Sequence, residues 1–468
     1  MGGDPSDPLV IVSSSAGKIR RAYLRIVFSI DLPGLGGELL VAGMGSLLIR
    51  AVGMIATFVL GILRARYLGP SELGLYGMVV AVAMLLAAIA QLGLPTLATR
   101  EAAIAWSRGD FSELRGILLW FGLAATAAAI ILGAGLALGA TLWPRLTGSI
   151  GEAARIGALL VPLFALTVLI SAELRALGRL VLGQSLELLV RPLMTCLLVL
   201  LWVLVFPSLT ARVALEINVL ASLIALLLAT WWLVCRLPRE ARGCRPNHHF
   251  RKWGRSAAPL AITDVLRQLD GVYAILLMGF LVTTAETGIF RVAQSTMLFV
   301  ATPLFVVQVV VAPSLARLHD SGDWSKLQRL VTISARLNFG AAVLGALVVA
   351  VAGPDLIGLV FGTEYRGAWM PLLILCVGQI VNRFFGVGFV LLPMAGAERE
   401  LTFCFLVSVF VSVVCAVPLI IMWGSVGAAA AAIVGAAANG CTTHYFAKVR
   451  MGIDTSLFGS YSRHVRNL

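Results

Sequence analysis

The chain has 468 residues, of which 59% are hydrophobic and 13% are charged, and its mean hydropathy is +0.96. Soluble domains are about 45–50% apolar and about 25% charged, so this composition excludes an ordinary soluble protein and indicates a polytopic membrane protein. The formal net charge is +13. A soluble protein with that charge would be a candidate for nucleic-acid binding. Cytoplasmic loops of membrane proteins collect Lys and Arg, however, and no nucleic-acid partner is expected.

The N-terminal segment, residues 1–38, is polar and places four basic residues ahead of the short apolar run Ile26–Ile30. Two interpretations of this segment remain open: an interfacial amphipathic helix lying on anionic lipid, or a disordered start. The apolar run is too short for a cleavable signal peptide.

Twelve apolar stretches follow, each long enough for a membrane-spanning helix, which needs about 20 apolar residues. They lie at about 41–63, 74–97, 116–140, 155–173, 181–206, 214–235, 257–281, 285–312, 334–353, 368–393, 401–422 and 425–446. The Gly69-Pro70 pair ends the first stretch, because proline lacks an N–H and restricts the residue before it. The predicted fold is therefore an all-α polytopic membrane protein.

The distribution of basic residues predicts the orientation of these helices. Most of the 36 Lys and Arg residues lie in the N-terminal segment, the even-numbered loops and the C-terminal tail, and few lie in the odd-numbered loops. Because cytoplasmic loops are enriched in Lys and Arg, both termini are predicted to be cytoplasmic. Most tryptophans lie near predicted helix ends, as interfacial tryptophans do.

A basic linker divides the twelve helices into two sets of six. An internal repeat supports the division: Gly74-Leu75-Tyr76 and Gly288-Ile289-Phe290 begin the second helix of each set, and Pro95–Ala98 and Pro313–Ala316 end it. Six helices return the chain to its starting side, so the sets are parallel repeats related by a pseudo-twofold axis, with a central cavity between them. The predicted domains are 1–38 (cytoplasmic segment), 39–236 (first six-helix bundle), 237–256 (linker), 257–447 (second six-helix bundle) and 448–468 (cytoplasmic tail).

Motifs around the first two helices resemble a known family. They are Ala65-Arg66-Tyr67-Leu68-Gly69-Pro70, Glu72-Leu73-Gly74-Leu75-Tyr76 and Leu92-Gly93-Leu94. The stretch resembles the O-antigen-type polysaccharide flippases of the multidrug/oligosaccharidyl-lipid/polysaccharide exporter superfamily. Elsewhere the resemblance is one of helix number and layout. It implies a bacterial inner-membrane protein that is not an enzyme. Such a protein moves a polyprenyl-pyrophosphate-linked oligosaccharide across the membrane during biosynthesis of a surface polysaccharide such as lipopolysaccharide.

Five arginines lie inside predicted helices, where a charge is costly and by default marks a functional site. They are Arg50, Arg191, Arg267, Arg291 and Arg383. At 1.5 Å per residue, all but Arg291 lie about 15 Å from the cytoplasmic end of their helices, and Arg291 lies nearer to the outer side. Because guanidinium groups bind phosphate oxygens in bidentate pairs, we expect these arginines to bind the pyrophosphate in the central cavity.

Local ion pairing is the alternative role for some of these arginines. Glu187 precedes Arg191 by four residues, and Asp264 and Asp270 flank Arg267 at a spacing of three, which suits pairing along a helix. The same carboxylates, Asp270, Asp264 and Glu187, are candidates for proton or sodium coupling. The resemblance favours Asp270, because the family often has an aspartate in the seventh helix ahead of an apolar run.

No metal or cofactor is expected. The seven cysteines show no repeating spacing and most lie in apolar runs, which is typical of buried small residues rather than of disulfides. Cys244 is followed by His248 and His249, but this spacing matches no common zinc site.

Three classes of function remain open. The first is the flippase, a monomer acting by alternating access, with the lipid-linked oligosaccharide, membrane lipids and other glycan-assembly membrane proteins as partners. The second is an ion-coupled drug/cation antiporter of the same superfamily. Its cavity would need carboxylates and aromatic rings, whereas arginines outnumber acids within the predicted helices. The third is a membrane glycosyltransferase or ligase, for which the chain lacks a paired-carboxylate, DxD, HExxH or GxSxG motif in a suitable context.

Overall fold

The computed structural model describes residues 35–142, 148–206, 208–247, 250–301, 311, 314–315, 317–386, 388–394 and 396–459. Within these residues the regular secondary structure is helical, without strands, as the sequence predicts. Two compact units divide the chain, Met1–Ser46 and Leu47–Leu468. The predicted N-terminal segment, 1–38, lies outside the described residues except for its last four, and the limits of the five predicted domains stay a prediction.

The described residues form twelve long helical segments, which we number α1 to α12. The bounds are α1 and α2 within Leu35–Ala90, before and after Gly69, with α2 resuming as Leu94–Arg108; α3 Phe111–Leu142; α4 Ser149–Ala176; α5 Leu180–Val205; α6 Ala211–Arg236; α7 Phe250–Leu281; α8 Thr284–Val300; α9 Trp324–Phe361; α10 Thr363–Phe384, resuming as Gly388–Met394; and α11 and α12 within Glu398–Met451, before and after Gly424. A short helix, Arg239–Gly243, lies in the linker. The order and number of segments agree with the prediction.

Eight helices in the described part of the chain are long and apolar enough to cross a membrane. Two of them, Gly45–Ala90 and Glu398–Met451, contain two segments each, so only α7 and α8 fall outside this set. The reason lies in their composition and length. The α7 helix carries three charged residues in its middle, Asp264, Arg267 and Asp270, and the described part of α8 has 17 residues.

Glycines break the long helices. Gly69 has φ 71° and Gly424 has φ 56°, a region that residues with a Cβ disfavour. The α2 helix is also interrupted near Gly93, φ 72°, where the sequence predicts a continuous helix. A Cβ at Gly93 would lie 2.5 Å from the backbone N of Ala261. The unpredicted break therefore lies where the backbone of α7 packs directly on α2.

The two sets of helices repeat the same capping contact. Glu72 Oε2 accepts a hydrogen bond from the backbone N–H of Ala211 (2.6 Å) at the start of α6, and Glu286 Oε2 accepts one from Ser425 (2.9 Å) at the start of α12. Both pairs are separated by 139 positions. A carboxylate at a helix N-terminus satisfies an orphan N–H and interacts favourably with the helix dipole. The repeat inferred from the sequence is therefore present in three dimensions.

We call proximal the end of the bundle at which odd-numbered helices begin, and distal the end at which they finish. At the distal end, Gly74 of α2 and Gly288 of α8 hold the two helix backbones in contact. A Cβ at Gly74 would collide with the carbonyl oxygen of Thr284, and a Cβ at Gly288 would collide with that of Pro70. These two glycines are the ones that the internal repeat matched.

Polar contacts reinforce the distal end. The Tyr365 hydroxyl donates a hydrogen bond to the carbonyl oxygen of Ala65 at 3.1 Å. The Arg66 guanidinium donates to the carbonyls of Leu359 and Val360 at the end of α9. These bonds satisfy carbonyls that a helix leaves unpaired at its C-terminus, and they join the first helix to the second set.

The C-terminal tail folds back onto the second set of helices. The ladder of α10 is broken after Phe384, and the tail supplies donors there: Leu457 N–H to the carbonyl of Phe384 (3.1 Å), and Thr455 Oγ1 to that of Phe385 (2.8 Å). The Thr455 side chain is fully buried. The described part of the predicted tail is thus an integral part of the second bundle, and residues 460–468 lie outside the described residues.

We expect Gly74→Ala to lower the thermal stability of the purified protein, because the new methyl group would force α2 and α8 apart. Overpacking of this kind costs about 1–3 kcal/mol. The control is Gly122→Ala in α3, where a Cβ would meet no atom within 4 Å. Its expected effect is neutral or stabilising, since a helical Gly costs about 0.5–1 kcal/mol relative to Ala. Equal melting temperatures for the two variants would contradict the described distal contact.

We expect Gln328→Glu to release the tail. The Gln328 amide donates to the carbonyl of Asp454 (2.6 Å) and accepts from its N–H (3.0 Å), whereas a carboxylate cannot donate and would repel the carbonyl oxygen. Hydrogen exchange of the amides at 454–457 should accelerate at least tenfold. Arg329→Gln, on the exposed side of the same turn, should leave that exchange unchanged.

Candidate functional site: two adjoining basic cavities

The distal cavity, of about 490 Å³, lies among α1, α2, α4, α5, α6 and α8. Its walls are mostly apolar and aromatic, including Phe58, Met84 and Phe299. The charged residues in its lining are Arg50, Arg64, Arg191, Arg291 and Glu187. Four cations and one carboxylate give this mostly apolar cavity an excess of positive charge, and buried charges need a counter-charge.

Three of these arginines lie over aromatic rings. The guanidinium carbons of Arg64 and Arg291 are 4.4 Å and 5.6 Å from the centroid of the same Tyr76 ring, and that of Arg191 is 4.7 Å from the Phe164 ring. We call Arg64, Arg191 and Arg291 the distal cluster. Aromatic faces attract cations and offset part of the cost of removing them from water. The rings therefore stabilise three like charges in a mostly apolar cavity and leave those charges in place.

Tyr76 is the residue that fixes this arrangement. Its side chain is 1% exposed, and its hydroxyl accepts a hydrogen bond from the Asn218 Nδ2 of α6 at 2.9 Å. A buried hydroxyl and a buried amide both need a partner, and each supplies the other. The bond sets the plane of the ring on which Arg64 and Arg291 lie.

The proximal cavity, of about 510 Å³, lies among α1, α2, α4, α5 and α7. We call Arg50, Arg100, Arg175 and Arg267 the proximal cluster; all four line this cavity together with Glu187 and Asp264. Uncharged polar side chains complete the wall: Gln91, Thr96, Thr99 and Gln184. This lining is far more polar than that of the distal cavity.

Ion pairs offset much of the proximal charge. Arg175 Nη1 is 3.5 Å from Glu187 Oε1, and Arg267 Nη2 is 3.4 Å from Asp264 Oδ1. The second oxygen of Asp264 accepts a hydrogen bond from Thr96 Oγ1 at 3.1 Å. Paired arginines at a water-accessible site can exchange a protein carboxylate for a ligand anion at a modest cost.

Arg50 and Glu187 line both cavities. Glu187 lies in a π-helical stretch of α5, Leu186–Val190. Such bulges inside α-helices are frequent at functional sites. The two cavities therefore adjoin at one cation and one carboxylate, with Glu187 turned toward Arg175.

The structure brings together four of the five arginines predicted from the sequence. Arg291 lies toward the distal end, as predicted, but Arg191, which was predicted at the depth of Arg50 and Arg267, lies there too. Arg50 and Arg267 line the proximal cavity, and Arg191 and Arg291 line the distal one. Arg383 lines neither cavity; it is 8% exposed, donates to Gln379 Oε1 at 3.3 Å, and its Nε has no partner in the described part of the chain. Position along each helix fixed depth only approximately, and it did not fix the direction of the side chain.

The predicted coupling carboxylates are also separated. Asp264 and Glu187 line the proximal cavity, and Glu187 pairs with Arg175 rather than with Arg191, which the sequence suggested as its partner. Asp270 lies outside both cavities, where its Oδ1 accepts a hydrogen bond from Ser408 Oγ of α11 at 3.2 Å. Whether any of them carries an ion stays a prediction.

Sequence reasoning missed four residues. Arg64, Arg100 and Arg175 were assigned to loops, because α1, α2 and α4 extend farther than their apolar runs. Their positions within one turn or two of a predicted helix end were the only signal. The fourth is Glu173 of α4, a buried carboxylate that lines neither cavity. It is 3% exposed, and its Oε1 has no partner among the described residues.

The cysteines show no metal chemistry in the described residues. All seven are free thiols, and no group of three His, Cys, Asp or Glu residues converges there. Cys244 donates to the carbonyl of Glu240 at 3.0 Å, while His248 and His249 lie outside the described residues.

Comparison with known families assigns the chain. The model of the polysaccharide biosynthesis protein family matches residues 40–319. This chain belongs to that family. No curated protein matches it. The match covers the first set of helices together with α7 and α8, and every helix that lines the two cavities lies within it.

Solved structures show the same fold at low sequence identity. One is an inward-facing multidrug-resistance MATE-family transporter of the MOP superfamily (TM-score 0.69, 14% identity, 88% of this chain and 98% of that one). The outward-facing form gives a TM-score of 0.60 at 14% identity, over 88% and 95% of the chains. A MOP-superfamily transporter from Pyrococcus furiosus, described as having a binding pocket of reverse polarity, gives 0.59 at 13% identity, over 88% and 94%. The family member thus has a membrane-transporter fold.

We expect Tyr76→Phe and Tyr76→Leu to differ in a defined way. Tyr76→Phe keeps the ring but leaves the Asn218 amide unsatisfied, which costs about 1–3 kcal/mol of stability. Tyr76→Leu also removes the surface under Arg64 and Arg291, at about 0.5–2 kcal/mol for each cation–π contact. Unfolding in detergent should therefore rank wild type, Tyr76→Phe and Tyr76→Leu in decreasing stability. Identical values for the two variants would show that the ring does not support the cations.

Proposed function

We propose that this protein is a flippase that translocates a polyprenyl-pyrophosphate-linked oligosaccharide across the bacterial inner membrane by alternating access, with both termini cytoplasmic. One observation carries the proposal: seven arginines and two carboxylates line two adjoining cavities within a transporter fold. That excess of positive charge suits an anionic substrate. A family whose members take part in polysaccharide biosynthesis supplies the reason to assign a lipid-linked glycan.

The proximal cavity is the entry site in this proposal, since the proximal end is the predicted cytoplasmic one. A pyrophosphate arriving from the inner leaflet would replace Glu187 on Arg175 and Asp264 on Arg267. It would also reach Arg50, which has no ion-pair partner among the residues that the structure describes. Bidentate guanidinium contacts are strong where water is scarce. The lipid chain stays in the bilayer, and no covalent step is required.

Alternating access then follows from which helices carry the arginines. Arg50, Arg100 and Arg175 belong to the first set of helices, whereas Arg267 on α7 and Arg291 on α8 belong to the second. An anion bound in either cavity bridges the two sets, and separation of the sets at the distal end would move Arg291 away from Arg64 and Arg191. Affinity for the anion would fall as the distal end opens, which favours release on that side.

The aromatic residues argue against the cation antiporter. The Tyr76 and Phe164 rings, which would bind a cationic drug, already lie under guanidinium groups. A second cation would be repelled by them. Proteoliposomes containing the protein should therefore not accumulate a lipophilic cation such as tetraphenylphosphonium under an imposed proton or sodium gradient.

We expect Arg50→Ala to abolish flipping while membrane insertion stays intact, because Arg50 is the cation common to both cavities. The readouts are surface-glycan display in cells and movement of a fluorescent polyprenyl-pyrophosphate oligosaccharide in proteoliposomes. At least a tenfold loss of rate is expected, with partial recovery in Arg50→Lys. Arg329→Ala, at an exposed position outside both cavities, is the matched control. Normal glycan display in Arg50→Ala would remove Arg50 from the mechanism.

A further inference from the structure

We propose that the glycan carried by this protein is acidic, and that the distal cluster binds a carboxylate of one of its sugars. The proposal rests on the proposed function and deepens it, since it names the chemical class of the glycan. It assigns separate anions to the two clusters: the pyrophosphate to the proximal cluster, and a uronic-acid carboxylate to Arg64, Arg191 and Arg291.

The first argument is the distance along α1 between Arg50 of the proximal cluster and Arg64 of the distal cluster. Arg50 and Arg64 lie on the same unbroken helix, 14 residues apart, and therefore about 21 Å apart along its axis. A pyrophosphate has two adjacent phosphorus centres and cannot contact both positions. A glycan of a few sugars that extends from the pyrophosphate into the distal cavity can.

The second argument is charge balance. Proximal arginines have carboxylates beside them, at 3.5 Å for Arg175 and 3.4 Å for Arg267. Among the described residues, Arg64 and Arg291 have no acid within ion-pair distance, and the buried Nε of Arg64 has no hydrogen-bond partner. Arg64 and Arg291 lie over the same Tyr76 ring, so their like charges repel each other. Unpaired cations in a mostly apolar cavity are costly, and a ligand carboxylate would offset that cost.

The third argument is the character of the surrounding wall. The lining of the distal cavity also includes the aromatic side chains Phe58 and Phe299, which stack at 4.3 Å between ring centroids. Two hydroxyl side chains, Thr57 and Ser295, line the same cavity. Ligand sites commonly combine an apolar surface with a small number of placed polar groups. Flat aromatic faces suit the C–H faces of a sugar ring, and hydroxyl groups suit its own hydroxyls. A neutral sugar would need no cation here, whereas a uronic acid would use the cluster fully.

The binding test uses two matched free disaccharides, cellobiouronate and cellobiose, which differ by one carboxylate and contain no phosphate or lipid. Full-length protein in nanodiscs is titrated with each by calorimetry. The expected result is at least tenfold tighter binding of cellobiouronate, equivalent to about 1.4 kcal/mol. Arg64→Gln and Arg291→Gln should each abolish most of this preference, Arg64→Lys should restore part of it, and Arg329→Gln, outside both cavities, should leave it unchanged. Equal binding of the two disaccharides, or a preference that survives in Arg64→Gln and Arg291→Gln, would overturn the proposal.

A transport test separates this proposal from the proposed function. Proteoliposomes receive a polyprenyl pyrophosphate that carries either disaccharide. Faster flipping of the acidic substrate, with a preference lost in Arg64→Gln and Arg291→Gln, supports both proposals. Equal flipping of the two substrates, with Arg50 still required, overturns the acidic glycan and leaves the flippase. A carboxylate preference in the binding test without flipping of either substrate overturns the flippase and leaves the distal carboxylate site.

Discussion

The direct contact of two helix backbones at the distal end sets the spacing of α2 and α8, the two helices that carry Tyr76 and Arg291. Gly74 and Gly288 let α2 and α8 touch without intervening side chains. The distal cluster of arginines begins immediately next to this contact, on its proximal side. Tyr76 follows Gly74 by two residues. Arg291 follows Gly288 by three, and its side chain crosses Gly77, where a Cβ would lie 2.7 Å from Arg291 Cδ. The contact between Gly74 and Gly288 and the distal cluster are thus formed by the same turns of α2 and α8. A movement of one is therefore expected to move the other.

The two cavities differ in how their charges are balanced. In the proximal cavity, a carboxylate of α5 and one of α7 form ion pairs with Arg175 and Arg267, at 3.5 Å and 3.4 Å. In the distal cavity, aromatic rings take that place for Arg64 and Arg291. A ring attracts a cation by about 0.5–2 kcal/mol and leaves its charge in place. The proximal cations Arg175 and Arg267 therefore have carboxylate partners, whereas Arg64 and Arg291 keep an uncompensated charge among the described residues.

The fold was predictable from the sequence to the level of helix number and order, because most of the segments lie in helices that are long and apolar enough to span a membrane. The Gly69 break and the Gly74/Gly288 repeat were also predictable, since glycine and proline act locally. The break near Gly93 was not, because the packing of α7 at Ala261 depends on the tertiary structure. Arg64 shows the same limit at the site. It lies beyond the apolar run of α1, but the helix continues to the Gly69 break, and that extra turn carries its side chain into the cavity.

The repeat also explains why the two sets of helices contribute unequally to the arginines of the cavities. Both halves use the same capping device, Glu72 on α6 and Glu286 on α12, so their frameworks are equivalent. At the next equivalent position down the α2–α8 contact they diverge: the first half has Gly77 and the second has Arg291. A second arginine at position 77 would find Arg291 already occupying that space, and glycine in one half makes room for the cation of the other. The two halves are therefore asymmetric at this position: the second half contributes one guanidinium group, that of Arg291, and the first half contributes none. That cation sits beside Arg64 of the first half, so separation of the two halves at the distal end would split the distal cluster.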